Sequence, residues 1–504
     1  DLRNAAFAHL QTLSFSYFNQ NSVGYIHARI MSDSGKIGEM VAWRLMDTVW
    51  NGAYILSALV VMLFVNFRLF LIFVIFIPVA VLLIAYFQRR LTVLNEHVRE
   101  LNSVITADFN EGITGAKQIK TLVIDDVIKK NFNSDTNKMR NMAVKAGHTS
   151  ALFISTVTFL TSAILAMVLY YGGIITSEEV MGIGTLSVFI SYALGILEPL
   201  QSLVRSFTMI IAIQVNIQRF FDLMNTQTDV YDRDDVIEKY GTSFEPKYEN
   251  WEELIGDVEF RNVSFMYPDG SELVLKDFNL KVRAGTMVAI VGETGAGKST
   301  LVNLVCRFFE PTEGDVLIDG RPANDRALIW LHSKLGYVLQ TPYLFSGSVR
   351  DNLRYGKPKA TDEEIWEALK LVSADRIVKN LAFGLDTNVG EGGDTLSTGE
   401  KQLLSFARAL LSNPRILILD EATASVDTVT EKAIQDAIAY VTKGRTSFVI
   451  AHRLSTITGA DVILAVQDGH ITEQGTHESL MTKKGYYYEL YTKQYDDAVI
   501  DQIG

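Results

Sequence analysis

The run Gly292-Glu293-Thr294-Gly295-Ala296-Gly297-Lys298-Ser299-Thr300 has the residue types and spacing of a phosphate-binding loop. Glycines let the backbone wrap so that successive N–H groups, and the N-terminus of the following helix, face phosphate oxygens. Lys298 is placed to reach the β- and γ-phosphates of a nucleotide, and Ser299 to ligate Mg²⁺. Such a loop works only between two rigid elements. Met287-Val288-Ala289-Ile290-Val291 reads as a buried strand ahead of it, and Leu301 to Phe309 as an apolar helix behind it.

A second chemical element follows about 120 residues on, in a region where short β runs alternate with helices, the pattern of an α/β domain. Ile416-Leu417-Ile418-Leu419-Asp420-Glu421 is an aliphatic strand that ends in two carboxylates. Asp420 is suited to hold Mg²⁺ directly or through water, and Glu421 to orient and deprotonate an attacking water. Between the two lies Leu396-Ser397-Thr398-Gly399-Glu400-Lys401-Gln402, heading a helix from Leu403 to Leu411. Ser397 with Glu400 three residues later is a capping box. A capped helix N-terminus is also an anion site, so the cap and a phosphate-binding role coexist.

The chain has 504 residues, more than one hydrophobic core accommodates. Its formal net charge of −12 and pI near 5.3 argue against nucleic acid as a partner. The single cysteine, Cys306, excludes a disulfide framework and reads as a buried core thiol. The first residue is Asp1, and the chain is expected to begin partway through a longer protein.

Four stretches lack Asp, Glu, Lys and Arg for about a bilayer width: Thr48 to Phe67, Leu69 to Phe87, His148 to Thr176, and Val180 to Leu197. The first two form a hairpin through Asn66–Arg68. The segment from Thr92 to Gly147 carries Lys117, Lys120, Lys129, Lys130, Lys138, Arg140 and Lys145, so the positive-inside bias places it, both termini and the phosphate loop in the cytoplasm. Its helical pattern predicts helices that project beyond the bilayer. Glu198 and Arg205 fall in or near the last span, either as functional groups or as residues paired at its cytoplasmic end. Thr226 to Glu253 reads as a linker with some helix, and from Gly256 short β runs alternate with helices.

Together these motifs resemble one subunit of an ABC exporter of the multidrug type, with membrane and nucleotide domains fused. The resemblance covers nearly the whole chain. It implies an all-α transmembrane domain followed by an α/β P-loop ABC ATPase domain: residues 1–222 a partial transmembrane domain, 223–254 a linker, 255–496 the nucleotide-binding domain and 497–504 a tail. In family order, 292–300 is the Walker A loop, 416–421 the Walker B strand and acid, and 396–402 the signature. The same resemblance assigns Tyr267 to stack on adenine, Gln340 to reach Mg²⁺ and the lytic water, Asp427 to the D-loop, and His452 to the γ-phosphate. Thr387-Asn388-Val389-Gly390-Glu391 resembles the loop that contacts the membrane domain. Six spans per subunit are implied, so two are expected to be missing, and coupling helices are expected near Ser34 and Glu111 to Lys120.

The departures are at the signature, where the usual form is Leu-Ser-Gly-Gly-Gln. Thr398 stands at a glycine position beside Gly399, and Glu400 at the glutamine position. A side chain at 398 narrows the approach to phosphate. A carboxylate at 400 puts negative charge where donors are wanted. In this family each ATP lies between one subunit's Walker A loop and the other's signature, so the pattern implies a heterodimer whose partner subunit supplies an intact signature; a homodimer is the rival. The expected function is ATP-driven export of small amphipathic or drug-like cargo, or of lipid or peptide, across a bacterial cytoplasmic membrane. The alternatives are a nucleotide-gated channel or low-turnover regulatory subunit, and a soluble ATPase acting on DNA or ribosomes, which the uncharged spans disfavour.

Overall fold

The computed structural model describes residues 1–178, 181–420, 428–451 and 454–493. Glu421, Asp427, His452 and the tail 497–504 lie outside the described residues. The chain divides into two units, 1–7 with 24–225, and 8–23 with 226–504.

The first unit is helical, as a bilayer requires of any backbone whose polar groups must pair within the segment. Four helical stretches are long and apolar enough to cross a membrane: Val23–Val65, Phe67–Thr114, Asp125–Ser177 and Ile183–Met224. Asn66 makes the first hairpin. Its backbone is extended, and its side chain accepts from the N–H groups of Arg68 and Leu69, both at 3.1 Å. The helices Phe67–Thr114 and Asp125–Ser177 have 48 and 53 residues. At 1.5 Å per residue they run roughly 70–80 Å, more than twice the hydrocarbon thickness. They therefore project as the lysine-rich segment between them predicts. Their shared core includes Leu69, Phe73, Ala80, Ile84, Ile164 and Val168. A Cβ at Gly172 would lie 2.5 Å from Leu186 Cδ1, so a larger residue there would make the Leu186 side chain shift. The last span breaks at Ile196, between the helices Ile183–Gly195 and Leu197–Met224, where Pro199 lacks the N–H that would continue the ladder. Glu198 and Arg205, seven residues apart on one helix face, are both exposed.

One expectation is corrected here. Ser34 is not in a separate short helix; it is buried within the continuous stretch Val23–Val65, its hydroxyl donating to the carbonyl of Ile30. The short helix lies upstream, at Phe15–Gln20, and ends where Asn21 turns extended and its amide donates to Tyr17 O at 2.9 Å. The second expected element is present as a separate helix, Ala116–Leu122, closed by Val123 in the left-handed conformation.

The second unit holds ten strands among the described residues: β1 (Val258–Phe265), β2 (Leu275–Val282), β3 (Met287–Val291), β4 (Glu313–Ile318), β5 (Arg321–Pro322), β6 (Leu335–Val338), β7 (Ile416–Asp420), β8 (Thr446–Ile450), β9 (Val462–Gln467) and β10 (His470–Gly475). Six form a sheet in the order β10-β9-β3-β8-β7-β6, parallel except for β10. Its central strands β3 and β7 are near-continuous aliphatic runs, as burial on both faces demands. The other four, β2-β1-β4-β5, make a separate antiparallel sheet.

The segment expected as a linker packs onto this unit. Its helix Asp234–Tyr240 buries Val236 and Tyr240 in the core. Arg307, 2 % exposed, clasps it by donating to Asp232 Oδ1 at 2.7 Å and to the Tyr231 carbonyl at 2.9 Å. Glu252 accepts from Tyr240 Oη at 2.7 Å and from Arg326 Nε at 3.1 Å.

Candidate functional site

The loop Gly292–Gly297 joins β3 to the helix Lys298–Val305. Two of its glycines are dictated by backbone geometry. Gly292 has φ +155° and passes so close to β9 that a Cβ would meet the Val466 carbonyl oxygen at 2.2 Å. Gly297 is left-handed at φ +98° and opens the helix, turning its first N–H groups toward the loop. Lys298 is 9 % exposed, and its ammonium donates to the carbonyls of Gly292 at 2.7 Å and Glu293 at 2.8 Å. Burial pushes its pKa down, while the Asp420 charge opposes that shift. The lysine thus lies folded across the concavity that its loop surrounds. Ser299 is exposed at the start of the helix, and Thr300 is buried behind it.

Parallel strands bring the other residues to the same sheet edge. Asp420 is the last residue of β7, paired in register with Ile450 of β8, which in turn neighbours β3. Gln340 follows β6, which pairs with β7, and is exposed. Phosphate loop, carboxylate and amide therefore share the carboxyl ends of parallel strands in one sheet, where ligands bind in sheets of this kind. A hydroxyl, a carboxylate and an amide are hard oxygen donors of the sort Mg²⁺ takes.

Tyr267 follows β1 of the other sheet. Its hydroxyl is 3.0 Å from Thr300 Oγ1, linking it to the phosphate-loop helix. Phe265 and Phe309 meet its ring edge-on, with centroids at 4.9 and 5.1 Å. The ring remains half-buried, with surface left for a planar ligand. These supports were not visible in the sequence, because Phe309 and Thr300 are distant from Tyr267 along the chain.

Ser397 and Gly399 lie on another element, at the start of the helix Thr398–Ser412. The capping box is present as the spacing predicts. Ser397 N–H and Oγ both donate to Glu400 Oε2 at 2.8 Å, and Glu400 N–H donates back to Ser397 Oγ at 3.4 Å. The bonds of Ser397 and Glu400 thus run to each other. Thr398 is exposed and Gly399 buried. Upstream, Thr387 to Glu391 is tied to the preceding loop by Val349 N–H to Thr387 O at 3.1 Å and Val389 N–H to Gly347 O at 2.9 Å.

Comparison with known proteins follows the same division. Residues 1–200 match the family described as the ABC transporter transmembrane region, and 275–424 match the ABC transporter family. A probable multidrug resistance ABC transporter ATP-binding/permease protein of Bacillus subtilis is 36% identical over 98% of this chain and 72% of its own length. An ATP-dependent lipid A-core flippase of Syntrophus aciditrophicus is 34% identical over 100% of this chain and 82% of its own. Among solved structures, a bacterial Atm1-family ABC exporter with ATP bound superposes with a TM-score of 0.77, at 28% identity, covering 98% of this chain and 84% of that one.

Proposed function

This chain belongs to the ABC transporter family, as an integral membrane ATPase with membrane region and ATP-binding domain in one polypeptide, and on that premise we propose that it is the catalytically equipped half of a heterodimeric exporter. Exporters of this type function as dimers. The observation that carries the asymmetric reading is the Ser397–Glu400 pair. The hydroxyl and amide that a signature offers to the opposite subunit's phosphate are here engaged by the chain's own carboxylate. Among the described residues the Walker side carries no such pair, with Lys298 and Asp420 at one sheet edge.

At that side, Lys298 leaves the carbonyls of Gly292 and Glu293 for phosphate oxygens, while the loop N–H groups cradle the phosphate chain. Tyr267 takes the adenine on its ring. Ser299, Asp420 and Gln340 form the donor set for Mg²⁺, an ion that when bound neutralises the β- and γ-phosphate oxygens. Glu421, next in the chain after Asp420, orients the attacking water and takes its proton. His452 hydrogen-bonds the γ-phosphate. The water oxygen bonds to the γ-phosphorus as the bond to the β-bridging oxygen breaks, giving ADP and phosphate without a covalent enzyme intermediate. Closure on ATP and release after hydrolysis bias the membrane helices between two states. The cargo is a small amphipathic or drug-like molecule leaving the cytoplasm, the class named for the Bacillus relative, with lipid as the class named for the Syntrophus one.

The test is purification of the tagged full-length protein from native membranes. A second, distinct ABC subunit at equal stoichiometry, with Gly and Gln at the positions matching Thr398 and Glu400, is the expected result. Recovery of this chain alone as a dimer, turning over ATP rapidly at both sites, would overturn the asymmetric reading.

A further inference from the structure

The residues that support Tyr267 continue in an unbroken line of rings to a segment the chemistry does not touch. Phe309, 4 % exposed, meets Tyr267 edge-on at 5.1 Å and Phe265 at 5.6 Å. Its other neighbour is Phe15, edge-on at 6.4 Å, and Phe15 also stacks on Phe308 at 5.2 Å with planes 28° apart. Phe15 opens the short helix Phe15–Gln20 in the segment 8–23. That segment packs in the nucleotide unit, yet in the chain it lies between the helices Leu2–Leu10 and Val23–His27.

The backbone directs these rings. The helix Lys298–Val305, whose start forms the phosphate loop, ends with Arg307 in the left-handed conformation at φ 53°, and Phe308 N–H returns to Asn303 O at 2.9 Å. A non-glycine residue held there is strained, and the buried Arg307 ion cluster supplies the compensation. The turn sends both Phe308 and Phe309 toward Phe15. Phe15 is exposed and lines a cavity of about 640 Å³ together with Phe18, Ile237, Phe308 and Ile329, whereas Phe309 is buried.

We propose that Phe309 is a positioning residue that couples occupancy of the adenine platform to the placement of segment 8–23 through the contacts Tyr267–Phe309–Phe15. This rests on the reading of Tyr267 as that platform. Tyr267 is held at its hydroxyl by Thr300 and at its edges by Phe265 and Phe309. A base stacked on it restricts the ring, the restriction passes to Phe309, and Phe309 sets the surface against which Phe15 packs. Coupling of this kind is reciprocal: whatever disturbs Phe15 changes affinity for the base by the same factor. The triphosphate, held by the loop and Lys298, lies outside that path. The base and phosphate parts of one nucleotide would then report to different parts of the protein.

The experiment uses the full-length protein with its partner subunit in lipid nanodiscs, in EDTA to prevent hydrolysis. Photolabelling of this chain by 8-azido-ATP is competed by ATP or by inorganic tripolyphosphate, in wild type, Phe15→Leu, Tyr267→Leu and the double variant. Loss of the Phe15 ring is expected to weaken ATP competition about threefold to tenfold, the scale of an aromatic pair, and to leave tripolyphosphate within about twofold. Phe15→Tyr, which keeps a ring, restores the wild-type value. In the Tyr267→Leu background the Phe15 effect disappears, because a double-mutant cycle through one path is not additive. Equal weakening of both competitors, or of neither, overturns the coupling. If Tyr267→Leu itself leaves the ratio of ATP to tripolyphosphate affinity at the wild-type value, the platform reading is what has failed.

Discussion

Ser397→Ala distinguishes a signature that serves a fast site from one that serves a slow site, and the structure supplies both magnitudes. The hydroxyl makes two bonds, donating to Glu400 Oε2 at 2.8 Å and accepting from Glu400 N–H at 3.4 Å. Alanine removes both. The Ser397 N–H keeps its 2.8 Å bond to the same carboxylate, and the freed Glu400 N–H lies at an exposed helix end where water reaches it. The cost is that of a lost N-cap, about 1 kcal/mol, well below the roughly 5–15 kcal/mol that holds a domain folded. Ser397→Gly recovers most of it, since glycine at an N-cap costs only a few tenths of a kcal/mol (~0.3).

On the catalytic side the two possibilities differ widely. If this hydroxyl donated to the γ-phosphate of a fast site, its loss would cut turnover by about 10²–10³, as for an oxyanion donor. Because Ser397 already donates to Glu400, the expected fall in ATP turnover of the whole assembly is under about twofold, far below the effect of such a donor. The assay is steady-state ATPase activity at saturating ATP in nanodiscs, with thermal unfolding of each variant alongside. A hundredfold loss shared by the alanine and glycine variants, at near wild-type stability, would refute the argument that Glu400 has taken the signature out of rapid catalysis.

Three further outcomes follow from buried groups. Lys298→Met, which removes the ammonium and keeps the stem, is expected to abolish photolabelling of this chain by 8-azido-ATP; retained labelling at wild-type affinity would contradict the phosphate-loop assignment. Arg307→Met leaves Asp232 with only its Leu328 N–H bonds at 3.0 and 3.1 Å, so it should destabilise the nucleotide unit by about 3 kcal/mol, the lower end for breaking a buried pair. Limited proteolysis should then cut within residues 226–254 first, and an unchanged cleavage pattern would count against the clasp. Cys306 is 0 % exposed, and burial pushes its thiol pKa well up. At neutral pH a maleimide should label it only after denaturation in SDS, because the reactive thiolate is suppressed in the folded state and regained on unfolding; rapid native labelling would show an open site.

What could be read along the chain was whatever depends on neighbours in sequence. The phosphate loop was legible because Gly292 and Gly297 meet local backbone demands and Lys298 follows at fixed spacing. Asp420 was legible because four aliphatic residues ending in an acid describe a strand and its carboxyl end. The Ser397–Glu400 box was legible because it spans one helical turn. The ring line from Phe15 to Tyr267 was not, since its members come from three distant segments and nothing local marks Phe309 as different from any core aromatic. Nor was the clasp of Arg307 on Asp232: a charged, Tyr-bearing stretch looks like a solvated linker until the buried guanidinium opposite it is known. The short helix Phe15–Gln20 is not marked in the sequence for a related reason. The break at Asn21 is marked only by polar residues, and helical periodicity continues through Ser34 without a Pro or a capping signal.

The signature itself joins these threads. A helix N-terminus attracts an anion through its unpaired N–H groups and its dipole. In the usual arrangement of this family that anion is the nucleotide's phosphate from the opposite subunit, and a glutamine at position 400, which can close the same box, would bring no charge to oppose it. In this chain Glu400 brings its own anion, held by two charge-assisted bonds of 2.8 Å. An incoming γ-phosphate must either displace that carboxylate and lose the cap, or approach it against like charge. Both raise the energy of the closed, phosphate-engaged state on this side, while the Walker side, built from Lys298 and Asp420, bears no such cost. On the asymmetric reading proposed above, the residue that closes the cap at this helix end is also the one that opposes a phosphate there.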